Sequence, residues 1–285
     1  MAEPAPARPL VPAVRALLAA FAVLTLVATT QLFVFGRDTA SGFAWTVRPP
    51  LSAAFLGAGY GAGCVLVVLS LRRGTWGAAR VGFLTVWLFA TAVLLVTLLH
   101  LDRFHLGAAG FVPRAAAWGW LAVYVAVPVA MAVALHAQLR APGEDPRAGP
   151  RLGRGLHVAL GAQAVLFLLV GVALFAVPAA RDRWPWQLTP LTARAIACWL
   201  LALGLAAVLV VADDDLQRLR PAAATYAVLG VLQLFALLRF RADVDWGRAA
   251  AWAYLAAVCA VLSSGAAGLA RSRRRTRRRA ALGVG

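Results

Sequence analysis

Four arginines stand at or near the points where the chain enters apolar helices: Arg48, Arg114, Arg194 and Arg248. A helix N-terminus carries partial positive charge and free amide donors, so it favours anions. Guanidinium groups beside several such termini would make a site for a carboxylate or a phosphate. Trp45 and Trp186 lie close by in sequence and offer flat apolar faces for such a ligand to stack on. The competing reading is plainer: the arginines touch lipid headgroups, and Trp45, Trp118, Trp120, Trp184, Trp186, Trp246 and Trp252 form an interfacial aromatic belt. Arginine at a helix start is electrostatically disfavoured, and Asp38 and Asp182 are the nearest acids to offset it. Arg194 is the most telling of the four. It lies one turn inside the helix that follows Pro190, where the corresponding early segment carries Ala53 or Ala54.

Other groups could do different chemistry. His100, Asp102 and His105 form a short run, and histidine with carboxylate can bind metal or relay protons. Five residues turn a helix by about 140°, however, so the two imidazoles cannot chelate from one face unless the helix ends between them. Asp213, Asp214 and Asp215 form one acidic cluster, with Arg218 four residues after Asp214, a spacing that reads as a solvated helix end with an ion pair. Cys64, Cys198 and Cys259 all sit in apolar runs and read as small buried hydrophobes without disulfides. There is no phosphate loop, dinucleotide fingerprint, zinc-binding HExxH, GxSxG or CxxC motif. No metal or cofactor is therefore expected.

The elements that hold these residues are membrane spans. With 62% hydrophobic residues and a mean hydropathy of +0.79, the chain is more apolar than soluble domains. A spanning helix needs about 20 apolar residues to cross roughly 30 Å of hydrocarbon. Eight segments qualify, running approximately Val14 to Phe35, Leu51 to Leu71, Val81 to Leu101, Ala115 to Leu139, Gly155 to Val177, Ala193 to Ala212, Pro221 to Phe240 and Ala249 to Ala270. They lack the alternation of barrel strands, and an isolated span must satisfy its own backbone hydrogen bonds, so they are helices. The first run is too long for a cleavable signal and no small-x-small site follows it.

All 28 basic residues are arginine, a bias that reads as bacterial and GC-rich. Eighteen fall on the terminal side of the proposed spans and ten on the other, so both termini are expected in the cytoplasm of a cell whose inner (plasma) membrane holds the protein. The chain also echoes itself. Pro50-Leu51-Ser52-Ala53 precedes Pro190-Leu191-Thr192-Ala193 by 140 residues, and Arg114-Ala115-Ala116-Ala117-Trp118 precedes Arg248-Ala249-Ala250-Ala251-Trp252 by 134. The expected architecture is all-α: two parallel four-helix repeats, residues 1–140 and 155–270, joined by a polar linker at 141–154 and followed by a basic tail at 271–285. Parallel repeats would be related by a pseudo-twofold axis along the membrane normal.

Seven of the seventeen net positive charges lie in that tail, where anionic lipid would hold them. No recognition fold or stacking platform accompanies the charge, so nucleic acid is not an expected partner. The spans carry no charge at mid-depth, which counts against proton-coupled transport. Function is then expected to be non-enzymatic binding of a partner or an anionic ligand at the outer face, at Arg194, Arg48, Arg114 and Arg248 with Trp186 and Trp45. The alternatives are a permease for a small or amphipathic solute and a membrane enzyme acting on a lipid-linked substrate.

Overall fold

The computed structural model describes residues 7–281 and the side chains of residues 7–273. Its long elements are eight helices: α1 (Pro12–Thr29, continued by a π turn Thr30–Val34), α2 (Pro50–Arg73), α3 (Trp76–Leu99), α4 (Phe111–Arg140), α5 (Arg154–Ala176), α6 (Pro190–Asp213), α7 (Arg220–Arg239) and α8 (Ala249–Ala281). Each is long and apolar enough to span a bilayer, α8 counting from Ala249 to Arg273. The chain is thus an all-helical, multi-pass membrane protein.

Local chemistry explains the ends. Proline opens α1, α2 and α6 at the first helical position, where its missing N–H costs nothing. Thr189 caps α6 by accepting from Thr192 N at 3.2 Å. Gly74 closes α2 with φ +70°, the left-handed geometry only glycine adopts cheaply. Two spans run longer than their apolar stretches: α3 begins at Trp76, and α4 begins at Phe111. Arg80 and Arg114 stand between these first turns and the apolar runs that follow, so hydropathy alone does not join them.

Helices α2, α3, α6 and α7 form the centre, and α1, α4, α5 and α8 the perimeter. Of the most apolar window of α2, 67% of residues are buried, against 17% for α1 and α4. The main pairings are α1 on α2, α3 on α4, α5 on α6 and α7 on α8, with α2 on α7 and α3 on α6 across the middle. At the centre, small residues let backbones approach. A Cβ on Gly59 would lie 2.7 Å from the indole of Trp199, and one on Gly57 would lie 2.5 Å from Phe33 N. The run from Gly57 to Gly63 is a packing seam shared by α1, α6 and α7.

The two ends of the bundle differ. One, the terminal face, gathers the N-terminal stretch, the α2–α3 turn, the 141–153 linker and the α6–α7 turn. The other, the tryptophan face, gathers the four loops at 35–49, 100–110, 177–189 and 240–248. On the terminal face, Arg8 N donates to Glu144 O at 2.8 Å, Trp76 N to Arg8 O at 2.9 Å, and Val11 N to Gln138 Oε1 at 2.9 Å. The linker is therefore tied down rather than free.

Candidate functional site

The acidic cluster is structural, and its pairing differs from the expected one. Asp215 is 1% exposed and accepts from Ala148 N at 2.6 Å, Gly149 N at 3.1 Å, Gln217 N at 2.8 Å and Arg218 N at 3.2 Å. Arg218 pairs with Asp215 at 3.6 Å, three residues away, instead of with Asp214. Its guanidinium also donates to the carbonyls of Asp145 and Pro146. Asp214 adopts the left-handed conformation at the end of α6 and accepts from Leu152 N at 3.0 Å, while Asp213 is bidentate with Arg80. The cluster is not a solvated helix end. It clamps the linker, because the carboxylates of Asp214 and Asp215 offer acceptors to backbone N–H groups that a polar, Pro-rich segment leaves unpaired.

On the tryptophan face, His100, Asp102 and His105 diverge. His100 Nε2 accepts from Arg194 Nη1 at 2.8 Å, Asp102 pairs with Arg103 at the exposed surface, and His105 lies between Thr46 Oγ1 at 3.1 Å and Phe43 O at 2.9 Å. Helix α3 ends at Leu99 with His100 as its C-cap, so both histidines lie past the helix, and they go to different partners. Among the described residues no group of three or more His, Cys, Asp or Glu could hold a metal ion. Burial first, and then the Arg194 guanidinium, lower the His100 pKa from its ordinary value.

The tryptophans divide into two kinds. Trp118 and Trp252 are exposed and fit an interfacial belt. Trp45, Trp184 and Trp186 are buried, so the belt does not describe them. Trp45 packs with Phe43, Phe104 and Trp120 at ring separations of 4.7, 5.1 and 4.9 Å. Trp186 packs with Trp184 and Tyr254 at 5.3 and 5.2 Å, and its Nε1 donates to Ser52 Oγ at 2.9 Å. These are two aromatic plugs that close the ends of the helices beneath them. The buried Nε1 atoms of Trp45 and Trp184 have no hydrogen-bond partner among the described residues.

Between the loops lies an open basin of about 1340 Å³. Arg37, Arg48, Arg181 and Arg248 line it, with Asp182, Asp243 and Asp245. Much of the acid is already engaged. Asp243 Oδ2 accepts from Leu51 N at 3.0 Å, so it is Asp243, from a distant loop, that satisfies the start of α2. Asp182 lies 3.7 Å from Arg181, and Asp245 accepts from Gly247 N at 3.2 Å. Arg248 donates to Trp184 O at 3.2 Å and Asp182 O at 2.6 Å. Arg37 lies over the Phe240 ring at 5.4 Å, and Arg48 is exposed with no hydrogen bond or ion pair among the described residues.

Of the six residues singled out from sequence, the basin collects Arg48, Arg248 and Trp186. Arg194 is elsewhere: half-buried, it donates to Phe175 O at 3.2 Å and to His100. Arg114 is exposed near the start of α4 and Trp45 is in its plug, both outside the basin wall. Sequence reasoning missed Arg37 and Arg181. Their signal was the pair of Arg-Asp steps at 37–38 and 181–182, which drew attention for the acid rather than the base. It also missed Arg239, which donates to the carbonyls of Phe33 at 2.7 Å and Val34 at 3.1 Å and so satisfies the π turn that ends α1.

Two apolar cavities, of about 310 and 230 Å³, lie within the bundle and share Gly59 and Trp199 in their walls. The smaller one is bounded at its tryptophan-face end by Arg183, Trp184 and Pro185, and the last two also line the basin. Fold and site together define a multi-pass helical membrane protein with a basic basin over an apolar interior. Comparison with protein-family models, curated proteins and solved structures finds no match.

Proposed function

We propose that the protein is a binding protein of the inner (plasma) membrane whose basin takes the anionic group of a ligand, either a lipid headgroup or a small carboxylate. The observation that carries this reading is the pair of exposed guanidiniums, Arg37 and Arg48, that face one basin without a carboxylate partner among the described residues. An unpaired arginine offers a fork of donors that matches carboxylate or phosphate oxygens. The buried, unpartnered Trp184 Nε1 on the shared wall of basin and smaller cavity adds a donor. Binding of dihexanoylphosphatidylglycerol and of succinate to the full chain in detergent, followed by calorimetry, tests the proposal. Saturable binding of one of them, weakened about tenfold by Arg48→Gln or Arg37→Gln, is expected, as befits loss of one charge-assisted hydrogen bond. The first ligand alone would point to headgroups and the second alone to small acids. Absence of saturable binding by both, or equal binding by the variants, overturns it.

A second reading, a permease for a small or amphipathic solute, draws support from the two cavities beside α2 and α6. Trp199 would then be the group that separates them.

The same proposal includes a topology and an origin. Eighteen arginines on the terminal side argue for cytoplasmic termini. The basic tail, whose side chains beyond Arg273 lie outside the described residues, would then contact anionic lipid. The recurrence of pairings, α1–α2 with α5–α6, α3–α4 with α7–α8, and α2–α7 with α3–α6, supports two parallel repeats about a pseudo-twofold axis. A periplasm-active reporter fused after Arg279 should stay silent, and activity there would reverse the orientation.

A further inference from the structure

The larger cavity holds polar groups that its own walls leave unanswered. Tyr60 of α2 and Tyr124 of α4 meet hydroxyl to hydroxyl at 2.7 Å, and each is more than nine-tenths buried. One hydroxyl must donate and the other accept. The accepting tyrosine keeps its own proton, and no second acceptor for it is found among the described residues. Thr85 of α3, also more than nine-tenths buried, has no hydrogen-bond partner for Oγ1 among the described residues and lines the same cavity. Tyr60 lies ten residues into α2, roughly 15 Å from its start and so near mid-bilayer. At that depth no bulk water reaches these groups, and an unmade buried hydrogen bond costs about 1–3 kcal/mol.

The rest of the wall is apolar and strongly aromatic. Phe89 lies 4.1 Å from Trp199 and 5.9 Å from Tyr60, and Trp120 lies 4.5 Å from Tyr124, all as ring-centre distances. A volume of about 310 Å³ is at the small end of ligand pockets. Leu24 and Val27 of α1 line the cavity and are themselves 38% and 51% exposed, so this part of its wall lies at the perimeter of the bundle.

We infer that this cavity is a binding site for a lipid-soluble flat ring bearing carbonyl oxygens, of the quinone type. Its oxygens accept from the spare Tyr60–Tyr124 proton and from Thr85 Oγ1, and its ring lies among Phe89, Trp120 and Trp199. Aromatic walls favour a ring over a flexible chain, and hydroxyl donors favour a carbonyl over a hydrocarbon. The site is distinct from the basin and does not depend on it.

Isothermal calorimetry of the full-length protein in detergent, with menadione and with its carbonyl-free counterpart 2-methylnaphthalene, decides the matter. Saturable binding of menadione is expected, with 2-methylnaphthalene at least about tenfold weaker. Tyr60→Phe or Tyr124→Phe alone should change menadione affinity by no more than about threefold, because removing one hydroxyl frees the proton of the other. The double variant should lose about tenfold, and Thr85→Val a similar factor. Equal affinity for the two probes would mean an apolar crevice that any lipid tail fills, and would overturn the assignment. Undiminished binding by a folded double variant, or no saturable menadione binding, would do the same.

Discussion

The linker clamp on the terminal face and the open basin on the tryptophan face carry charge in different ways. On the terminal face the carboxylates of Asp213, Asp214 and Asp215 and the guanidiniums of Arg80 and Arg218 are matched to each other and to backbone donors and acceptors of the linker. On the tryptophan face Arg37 and Arg48 stand in an open basin, and Arg114 stands exposed in the first turn of α4, without such partners among the described residues. Both faces are rich in arginine, so composition does not distinguish them. What distinguishes the linker clamp from the basin is whether a loop folds back onto its charges. The linker does, because Asp215 at the α6–α7 turn presents acceptors to two consecutive N–H groups. Charges locked in that way hold a fold together, and charges left open are free to meet a ligand.

That contrast can be broken from either side. The largest effect should come from Asp215→Ala, which strands the 7% exposed side chain of Arg218 and the N–H groups of Ala148 and Gly149. Breaking a buried pair costs about 3–5 kcal/mol, so thermal unfolding in detergent should show a large fall in Tm. A Tm unchanged by this variant would mean the linker is not clamped.

A smaller effect is expected at His100, the imidazole tied to Arg194 on the tryptophan face. His100 accepts from Arg194 and must be neutral to do so. Burial, and secondarily Arg194, lower its folded pKa below 6.5. Above that value both folded and unfolded forms are neutral and the bond is intact. As pH falls through 6.5 the unfolded chain takes up the proton first, so stability declines and then levels off below the folded pKa. Comparing Tm at pH 7.5 and 5.5 for the native chain and for His100→Gln should show the larger acid loss in the native chain. Equal losses would remove His100 as the cause.

The smallest effect should be Asp182→Ala. Its side chain is 75% exposed and only 3.7 Å from Arg181, and the carbonyl that Arg248 uses is retained. Exposed pairs contribute at most about 1 kcal/mol, so unfolding should barely move, while an anion in the basin should bind no worse. A fall in Tm comparable to that of Asp215→Ala would erase the distinction between the faces.

Much of the scaffold was legible residue by residue. Pro50 and Pro190 open their helices where the sequence places them, and each apolar run of about 20 residues is a span, because hydrocarbon thickness and backbone hydrogen bonding allow little else. The site was less legible. Arg48, Arg248 and Trp186 converge, but Arg194, which looked the most purposeful, is occupied by His100 and Phe175. The partner that satisfies the start of α2 is Asp243, 192 residues away, rather than the nearby Asp38. Nothing in local spacing encodes such a pairing.

By itself, the order of residues determined where the chain enters and leaves the bilayer, since those rules depend on composition within one segment. Which polar groups cancel and which stay open was decided only by the tertiary structure. Hydrogen bonds act over about 3 Å, and whether two groups come that close depends on how loops from separate helices fold over one another. The spare proton between Tyr60 and Tyr124 arises in the same way, from two tyrosines on different helices brought together where water does not reach.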